Sequence, residues 1–319
     1  MFSRELELRG RAFVNYEALA QVEVKDMTID GFPAKLFFNP ARVRSVMADV
    51  SPEALRKRAC FLCPDGLEPL QLTTVWDPPT GQTYFIRVNP FPIFNHHFTI
   101  SSAIHERQTF APHMESMLHL AEAMPEMSIF YNGPMCGASA PDHMHFQAVP
   151  RHSMPIEDHF STNYANAVLV QESDLQSHLA ALEKVLSMAR IPENASQTGS
   201  LTAGASRTEE WEPRWNIISW YDPESSASVV SDLQGKARST GAADLQPTGR
   251  SYNTIVFFRR ESRPQCFFAP ENERILFSPG TVEMGGVGIV ANRESFDRIT
   301  PEVLRSMIQE VSFPITDNQ

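Results

Sequence analysis

The sequence predicts an α+β fold: an antiparallel sheet with flanking helices, arranged as two related halves. Three observations carry this expectation. Short runs rich in β-branched and aromatic residues are separated by turn signals such as Asp30-Gly31 and Asp77-Pro78-Pro79-Thr80-Gly81, the punctuation of antiparallel strands. Segments 112–122 and 175–188 carry apolar residues at helical rather than strand spacing. The C-terminal part loosely repeats the earlier order of strands followed by a helix, although the residues themselves do not repeat.

In chain order, residues 1–53 mix helical stretches with a strand pair, 22–38, hinged at Asp30-Gly31, a dipeptide suited to a tight hairpin. Segments 70–76 and 83–89 flank the proline-rich turn, and 95–101 is a third strand. Met114, Met117, Leu118 and Ala121 define the helix at 112–122. Strands 127–132 and 143–149 pair across a glycine-bearing loop, and 175–188 is a second amphipathic helix. Segments 195–214 and 223–250, rich in Ser, Gly, Ala and Thr, read as loops, with a candidate strand at 215–221 between them. Strands 253–258, 265–268 and 287–292 and a helix at 301–311 follow. The expected organisation is an N-terminal half, 1–190, a loop-rich connection, 191–250, and a C-terminal half, 251–319.

The chain has 319 residues, 42% hydrophobic and 20% charged, which suits one large domain or two fused halves. No run approaches the roughly 20 apolar residues that cross a bilayer, so no membrane span is expected. The net charge of −11 argues against a nucleic-acid or anionic-membrane surface. Any phosphate ligand must therefore sit in a local basic pocket. Four cysteines and no apolar leader imply reduced thiols in the cytoplasm, where the Asn194-Ala195-Ser196 sequon carries little weight.

The chemistry concentrates in His143-Met144-His145-Phe146-Gln147. On a strand, His143, His145 and Gln147 point to one face and Met144, Phe146 and Ala148 to the other. Taken alone, this is equally well a strand with a wet face. The preceding Gly137-Ala138-Ser139-Ala140-Pro141-Asp142 changes the balance, because a small-residue loop can bring backbone N–H groups close to an anion. A phosphate beside a histidine points to phosphoryl or nucleotidyl transfer. Cys60-Phe61-Leu62-Cys63 is a redox pair, two buried thiols, or two ligands of one tetrahedral ion that needs two more from elsewhere. Nothing around Cys60 offers the strand-then-helix setting of a thioredoxin-like pair. Cys136 and Cys266 read as small core residues. Of His96 and His97, one is expected to be exposed; the remaining histidines read as surface or core.

These residues resemble the histidine-triad (HIT) superfamily, and within it the transferase branch whose motif is His-x-His-x-Gln. That branch contains galactose-1-phosphate uridylyltransferase, diadenosine tetraphosphate phosphorylase and the GDP-hexose phosphorylases. Phe130-Tyr131-Asn132 resembles the branch's Phe-x-Asn step. The superfamily's hydrolases carry a third histidine where this chain has Gln147. The segment 98–105, ending in His105, resembles the uridylyltransferase segment that ends in a ligand histidine. The resemblance implies a HIT-like, galactose-1-phosphate uridylyltransferase-like fold in two related halves. It also implies a closed structural Zn2+ site of Cys60, Cys63, His105 and His143.

By the same resemblance, His145 is the nucleophile on the α-phosphorus of a nucleoside diphosphate sugar or dinucleotide. Gln147 donates its amide N–H to a non-bridging oxygen, and the acceptor is phosphate or a sugar phosphate rather than water. Gly137, Ser139 and Asn132 are candidate substrate contacts, although Asp142 separates Pro141 from His143 where the family sets its proline directly before the first histidine. Arg87-Val88-Asn89-Pro90-Phe91-Pro92 resembles the family's Asn-x-Phe-Pro step, with Asn89 for ribose and Arg87 for phosphate, unless either simply caps a turn. Arg151 is a further phosphate candidate. The chain after His178 has no histidine, so the uridylyltransferase iron site has no counterpart. There, 258–264 and 278–286 resemble GDP-hexose phosphorylase segments. They offer Arg259 and Arg263 as phosphate contacts against the plainer reading of a solvated strand end, while Gly285-Gly286 reads as an ordinary turn. The function expected is a nucleotidyltransferase of the phosphorylase type, with a homodimer allowed. A non-catalytic zinc-stabilised nucleotide-binding module and a HIT-type hydrolase are the alternatives.

Overall fold

The computed structural model describes residues 10–64, 73–188, 212–223, 243–244 and 249–313. The sequon, residues 70–72 of the first sheet strand and most of the two loop-rich segments lie outside the described residues.

β1 (Glu23–Ile29) and β2 (Phe32–Phe38) form the expected hairpin. Asp30 and Gly31 have φ of 51° and 84°, the left-handed pair that lets a two-residue turn match the twist of its strands. β3 (Thr73–Trp76), β4 (Tyr84–Val88), β5 (Phe98–Ser102), β6 (Met127–Asn132) and β7 (His145–Pro150) follow. After them come β8 (His159–Phe160), β9 (Ala167–Glu172), β10 (Trp215–Asp222), β11 (Ala243–Asp244), β12 (Ser251–Phe258) and β13 (Val287–Val290). Eight strands make one antiparallel sheet in the order β3-β4-β5-β7-β6-β10-β12-β9. β13 joins β2 in parallel to complete a three-stranded sheet, and β8 pairs with β11.

Both faces of the large sheet are covered, so residues of both alternations are buried along β6, β10 and β12. On one face, Tyr131, Met144, Phe146, Ile217 and Val256 pack with Met117, Leu118, Ala121, Leu182 and Leu186 of the helices Met114–Ala123 and Leu175–Ser187. On the other, Phe130, Val149, Ile218, Trp220 and Phe257 pack with Leu36, Ile289 and the Leu304, Ile308 and Val311 side of the helix Pro301–Val311. Each fully buried large apolar side chain contributes about 2–3 kcal/mol. These two cores account for most of the apolar burial on the faces of the sheet.

Two expectations are corrected. Residues 265–268 are a 3-10 helix, not a strand, closed by Phe267 N donating to Pro264 O. The adjacent Phe267 and Phe268 are apolar, but no strand pairs with the segment to supply a ladder. The motif strand begins at His145, not His143, because His143 N donates to Ala140 O in the preceding turn.

Candidate active site and metal cluster

β7 lies between β5 and β6, with His145 opposite Ser101 and Gln147 opposite both Thr99 and Phe130. Met144, Phe146 and Ala148 are anchored in the helix-side core, so strand alternation turns His145 and Gln147 to the other face. The segment after β5 fixes the entry to β7. Met144 N donates to Glu106 O and Ser102 N to Met144 O. Gln108 then closes the junction, because its Oε1 accepts from His145 N at 2.8 Å while its Nε2 donates to the carbonyls of Asn132 and His145, both at 2.9 Å.

The turn before β7 brings His143 to the CxxC. Cys60 Sγ and His143 Nδ1 are 3.3 Å apart, Cys63 Sγ is 3.3 Å from His105 Nδ1 and 3.5 Å from His143 Nδ1, and the two Nδ1 atoms are 3.3 Å apart. A tetrahedral ion with bonds of about 2.0 Å to nitrogen and 2.3 Å to sulfur would separate its ligands by about 3.3–3.6 Å. The four donors thus have the chemistry and the spacing to hold one metal ion. His143 Nε2 lies 2.9 Å from Ser102 O. A carbonyl can only accept, so Nε2 carries the proton and Nδ1 is free for the ion. Burial opposes ionisation of Cys60, yet without an ion the doubly protonated His143 ring can donate from Nδ1, and this bond with those from the N–H groups of Leu62 and Cys63 pulls its thiol down to about 6, toward the thiolate a metal requires.

His145, 4% exposed, is the opposite tautomer. Its Nδ1 lies 2.9 Å from His143 O and must donate, which leaves Nε2 unprotonated and without a partner among the described residues. Burial pushes its pKa down to about 4, so the ring is neutral near pH 7. Gln147 Oε1 accepts from His97 Nε2 at 2.9 Å and Asn89 Nδ2 at 3.2 Å. Its own NH2 has no partner among the described residues.

The loop 137–139 approaches the C-terminal half at one point. Gly137 has φ of 96°, and a Cβ built on it would lie 2.7 Å from Gly280 Cα, so only glycine fits there. Asn132 Oδ1 binds that same segment, accepting from Thr281 N and Thr281 Oγ1 at 2.8 Å each and from Asn216 Nδ2 at 3.0 Å. Gly137 and Ser139 are exposed, and the backbone N–H groups of 137–139 make no hydrogen bond among the described residues. Asp142, the residue that interrupts the family spacing, pairs with Arg58 at 2.5 Å and so ties the motif turn to the chain entering the CxxC.

The candidate arginines are braces. Arg87, buried, donates to Leu62 O at 2.9 Å, Thr73 Oγ1 at 3.1 Å and Ser101 Oγ at 3.2 Å, holding the CxxC loop against β4. Arg151 pairs with buried Glu157 at 2.7 Å and lies 3.4 Å from Asp222. Arg259 is fully buried, and all five of its N–H donors are used, on Val311 O, Asn216 Oδ1, Pro279 O, Glu261 O and Ser262 O. None remains for a phosphate. Arg263 donates to Ser278 Oγ, Val46 O and Ala48 O and stacks on Phe267.

Sequence reasoning missed Gln108, Arg42 and Glu283, and left His97 without a role. Arg42 donates to Phe91 O, Glu283 Oε2 accepts from Gly280 N at 2.8 Å, and each lies close enough to the other to be felt electrostatically. No spacing rule links these residues, since they arrive from opposite ends of the chain.

Among the described residues, no helix is long and apolar enough to cross a membrane. A family model described as "Domain of unknown function (DUF4922)" matches residues 1–150. No curated protein matches the chain by sequence. Among solved structures, yeast Ap4A phosphorylase Apa2 matches with a TM-score of 0.54 at 13% identity, over 96% of this chain and 98% of that one. The same enzyme in complex with AMP matches at 0.52 and 15%, over 98% of each chain. In complex with Ap4A it matches at 0.50 and 15%, over 96% and 97%. The chain therefore has the fold of the yeast Ap4A phosphorylase.

Proposed function

We propose that the chain is a nucleotidyltransferase of the phosphorylase type, acting on a dinucleoside polyphosphate through a covalent nucleotidyl-histidine. The observation that carries this reading is His145, a buried neutral imidazole whose Nδ1 is held by a backbone carbonyl while Nε2 remains available. In the first step Nε2 attacks an α-phosphorus. An N–P bond forms, the P–O bond to the bridging oxygen breaks, and the rest of the substrate leaves as a nucleoside polyphosphate. In the second step an oxygen of inorganic phosphate attacks the same phosphorus, the N–P bond breaks, and a nucleoside diphosphate departs.

Gln147 donates its amide N–H to a non-bridging oxygen in both steps. It offers no base to activate water, which favours phosphate, already an oxyanion, as acceptor. The backbone N–H groups of Gly137 and Ser139, both exposed residues, and the Ser139 hydroxyl are the phosphate contacts in this reading. Fold likeness to a phosphorylase solved with AMP and with Ap4A supports an adenine dinucleotide. A nucleoside diphosphate hexose is the second reading, favoured by the segment 278–286, whose Gly280 packs against Gly137. Zinc is the metal we assign to the cluster, since two thiolates and two imidazoles make a closed tetrahedral set that serves structure.

The test is incubation with a dinucleotide labelled at the α-phosphorus, without phosphate. Label should remain on His145 and leave as nucleoside diphosphate once phosphate is added. Binding without labelling would make this a nucleotide-binding module. Turnover as fast in water alone would make it a hydrolase.

A further inference from the structure

We propose that His97, with Asn89, is a positioning residue that orients the Gln147 amide so that its NH2 faces the phosphoryl group in transit; this rests on the transfer reading given above. The argument starts from two backbone donors whose direction cannot be reversed. Ile93 N donates to His97 Nδ1 at 3.1 Å, so Nδ1 is unprotonated and the proton of the neutral ring sits on Nε2. Phe91 N donates to Asn89 Oδ1 at 2.8 Å, so Asn89 presents its NH2 on the other side. Both donors, His97 Nε2–H and Asn89 Nδ2–H, converge on one atom, Gln147 Oε1, at 2.9 and 3.2 Å.

A flipped Gln147 would set its own N–H groups against these two donors. The network therefore fixes which end of the amide faces His97 and Asn89. Both lone pairs of the amide oxygen are occupied, and the NH2 has only the reacting side left. The ring cannot easily escape this role by taking a proton, because it is fully buried and desolvation pushes its pKa down to about 3, with the nearby Arg42 charge acting in the same direction.

The turn that carries these residues is itself clamped. Asn89 N donates to His97 O. Tyr16 OH donates to His97 O at 2.8 Å and accepts from His97 N at 3.1 Å. Asn15 Nδ2 donates to Pro90 O at 2.7 Å. Exposed His96 takes φ of 58°, an uncommon backbone for a residue with a Cβ, and this lets His97 turn inward. Gln147 is thus pre-oriented before any ligand arrives, which is what makes a single neutral donor effective against developing charge.

A double-mutant cycle tests the coupling. Gln147→Ala should lower the phosphorolysis rate about 100-fold by removing the donor. His97→Phe, which keeps an aromatic ring but removes both nitrogens and with them the Nε2–H, should lower kcat about 10-fold or more through misorientation, with KM little changed. His97→Gln keeps an N–H at similar reach and should recover most of that loss. The double variant His97→Phe/Gln147→Ala should be no slower than Gln147→Ala alone. Losses that multiply would overturn the proposal, because His97 would then act by some other route.

Two further measurements do not depend on turnover. Imidazole nitrogen NMR of the wild-type chain should find His97 Nδ1 unprotonated, and the opposite tautomer would remove the clamp even if His97→Phe cannot be folded. AMP affinity, measured by calorimetry across the same cycle, should show the same non-additivity. If the wild type forms no nucleotidyl adduct but this coupling persists, the transfer reading fails while the clamp stands.

Discussion

His143 and His145 stand two residues apart, and the backbone claims opposite nitrogens of their rings. Ser102 O takes the Nε2 proton of His143 and leaves Nδ1 among the sulfurs. His143 O takes the Nδ1 proton of His145 and leaves Nε2 free. Two carbonyl oxygens thereby make chemically identical side chains present different nitrogens, one to the cysteine sulfurs and one to the proposed reaction site. The difference teaches that the sequence motif specifies the residue types, whereas the local backbone specifies which atom of each is presented. It also predicts that the two histidines can be separated experimentally.

The largest effect expected is on catalysis alone. His145→Ala should reduce nucleotidyl transfer by at least about 10⁴-fold while the chain stays folded and keeps its bound metal, because the ring is not one of the four cluster ligands. Transfer assays beside metal analysis would break the comparison if both fell together.

Next is the converse. His143→Ala or Cys63→Ser should lower bound metal and stability in step, by about 3 kcal/mol and several degrees in Tm, and a strong chelator should do the same to the wild type. Full metal content in Cys63→Ser by elemental analysis would remove the cluster assignment.

A third, smaller change sharpens the transfer side. Gln147→His introduces a titratable group on the reacting face and should raise the ratio of hydrolysis to phosphorolysis about tenfold, read from product ratios at equal substrate. An unchanged ratio would mean that acceptor choice is set elsewhere.

The smallest effect lies on the boundary. Asp142→Ala breaks a partly exposed pair, with the Asp142 side chain 22% and the Arg58 side chain 25% exposed, and should cost no more than about 1 kcal/mol. It should loosen metal retention before it touches transfer, which parallel zinc-release and rate measurements can resolve.

Much of this was legible in the sequence. Cys60, Cys63, His105 and His143 converge as the family resemblance implied, and their atoms lie within 4.8 Å of one another. The antiparallel α+β architecture and most strands also stand where turn chemistry and alternation put them. The arginines were not legible, because a basic residue at a strand end has the same one-letter code whether it faces water or, like Arg259, satisfies five buried acceptors. His97 was equally opaque. Its neighbour His96 is exposed while His97 is fully buried, and the choice between them is made by a left-handed residue and a distant tyrosine. Gln108 joins β6 to β7, and Glu283 is felt by Arg42 from the other end of the chain, where periodicity has nothing to report.

The near-contact of Gly137 with Gly280 has a mechanical consequence. With Asn132 bonded to Thr281 and no room between the two glycines for even a methyl group, the loop before the motif cannot swing independently of the C-terminal segment. Any displacement of one must drag the other, together with the end of β6 and the Gln108 bridge to His145. Such a hinge-less junction favours a stiff receptacle over a flap, so admission and release of a long, flexible ligand would depend on the ligand threading itself into place.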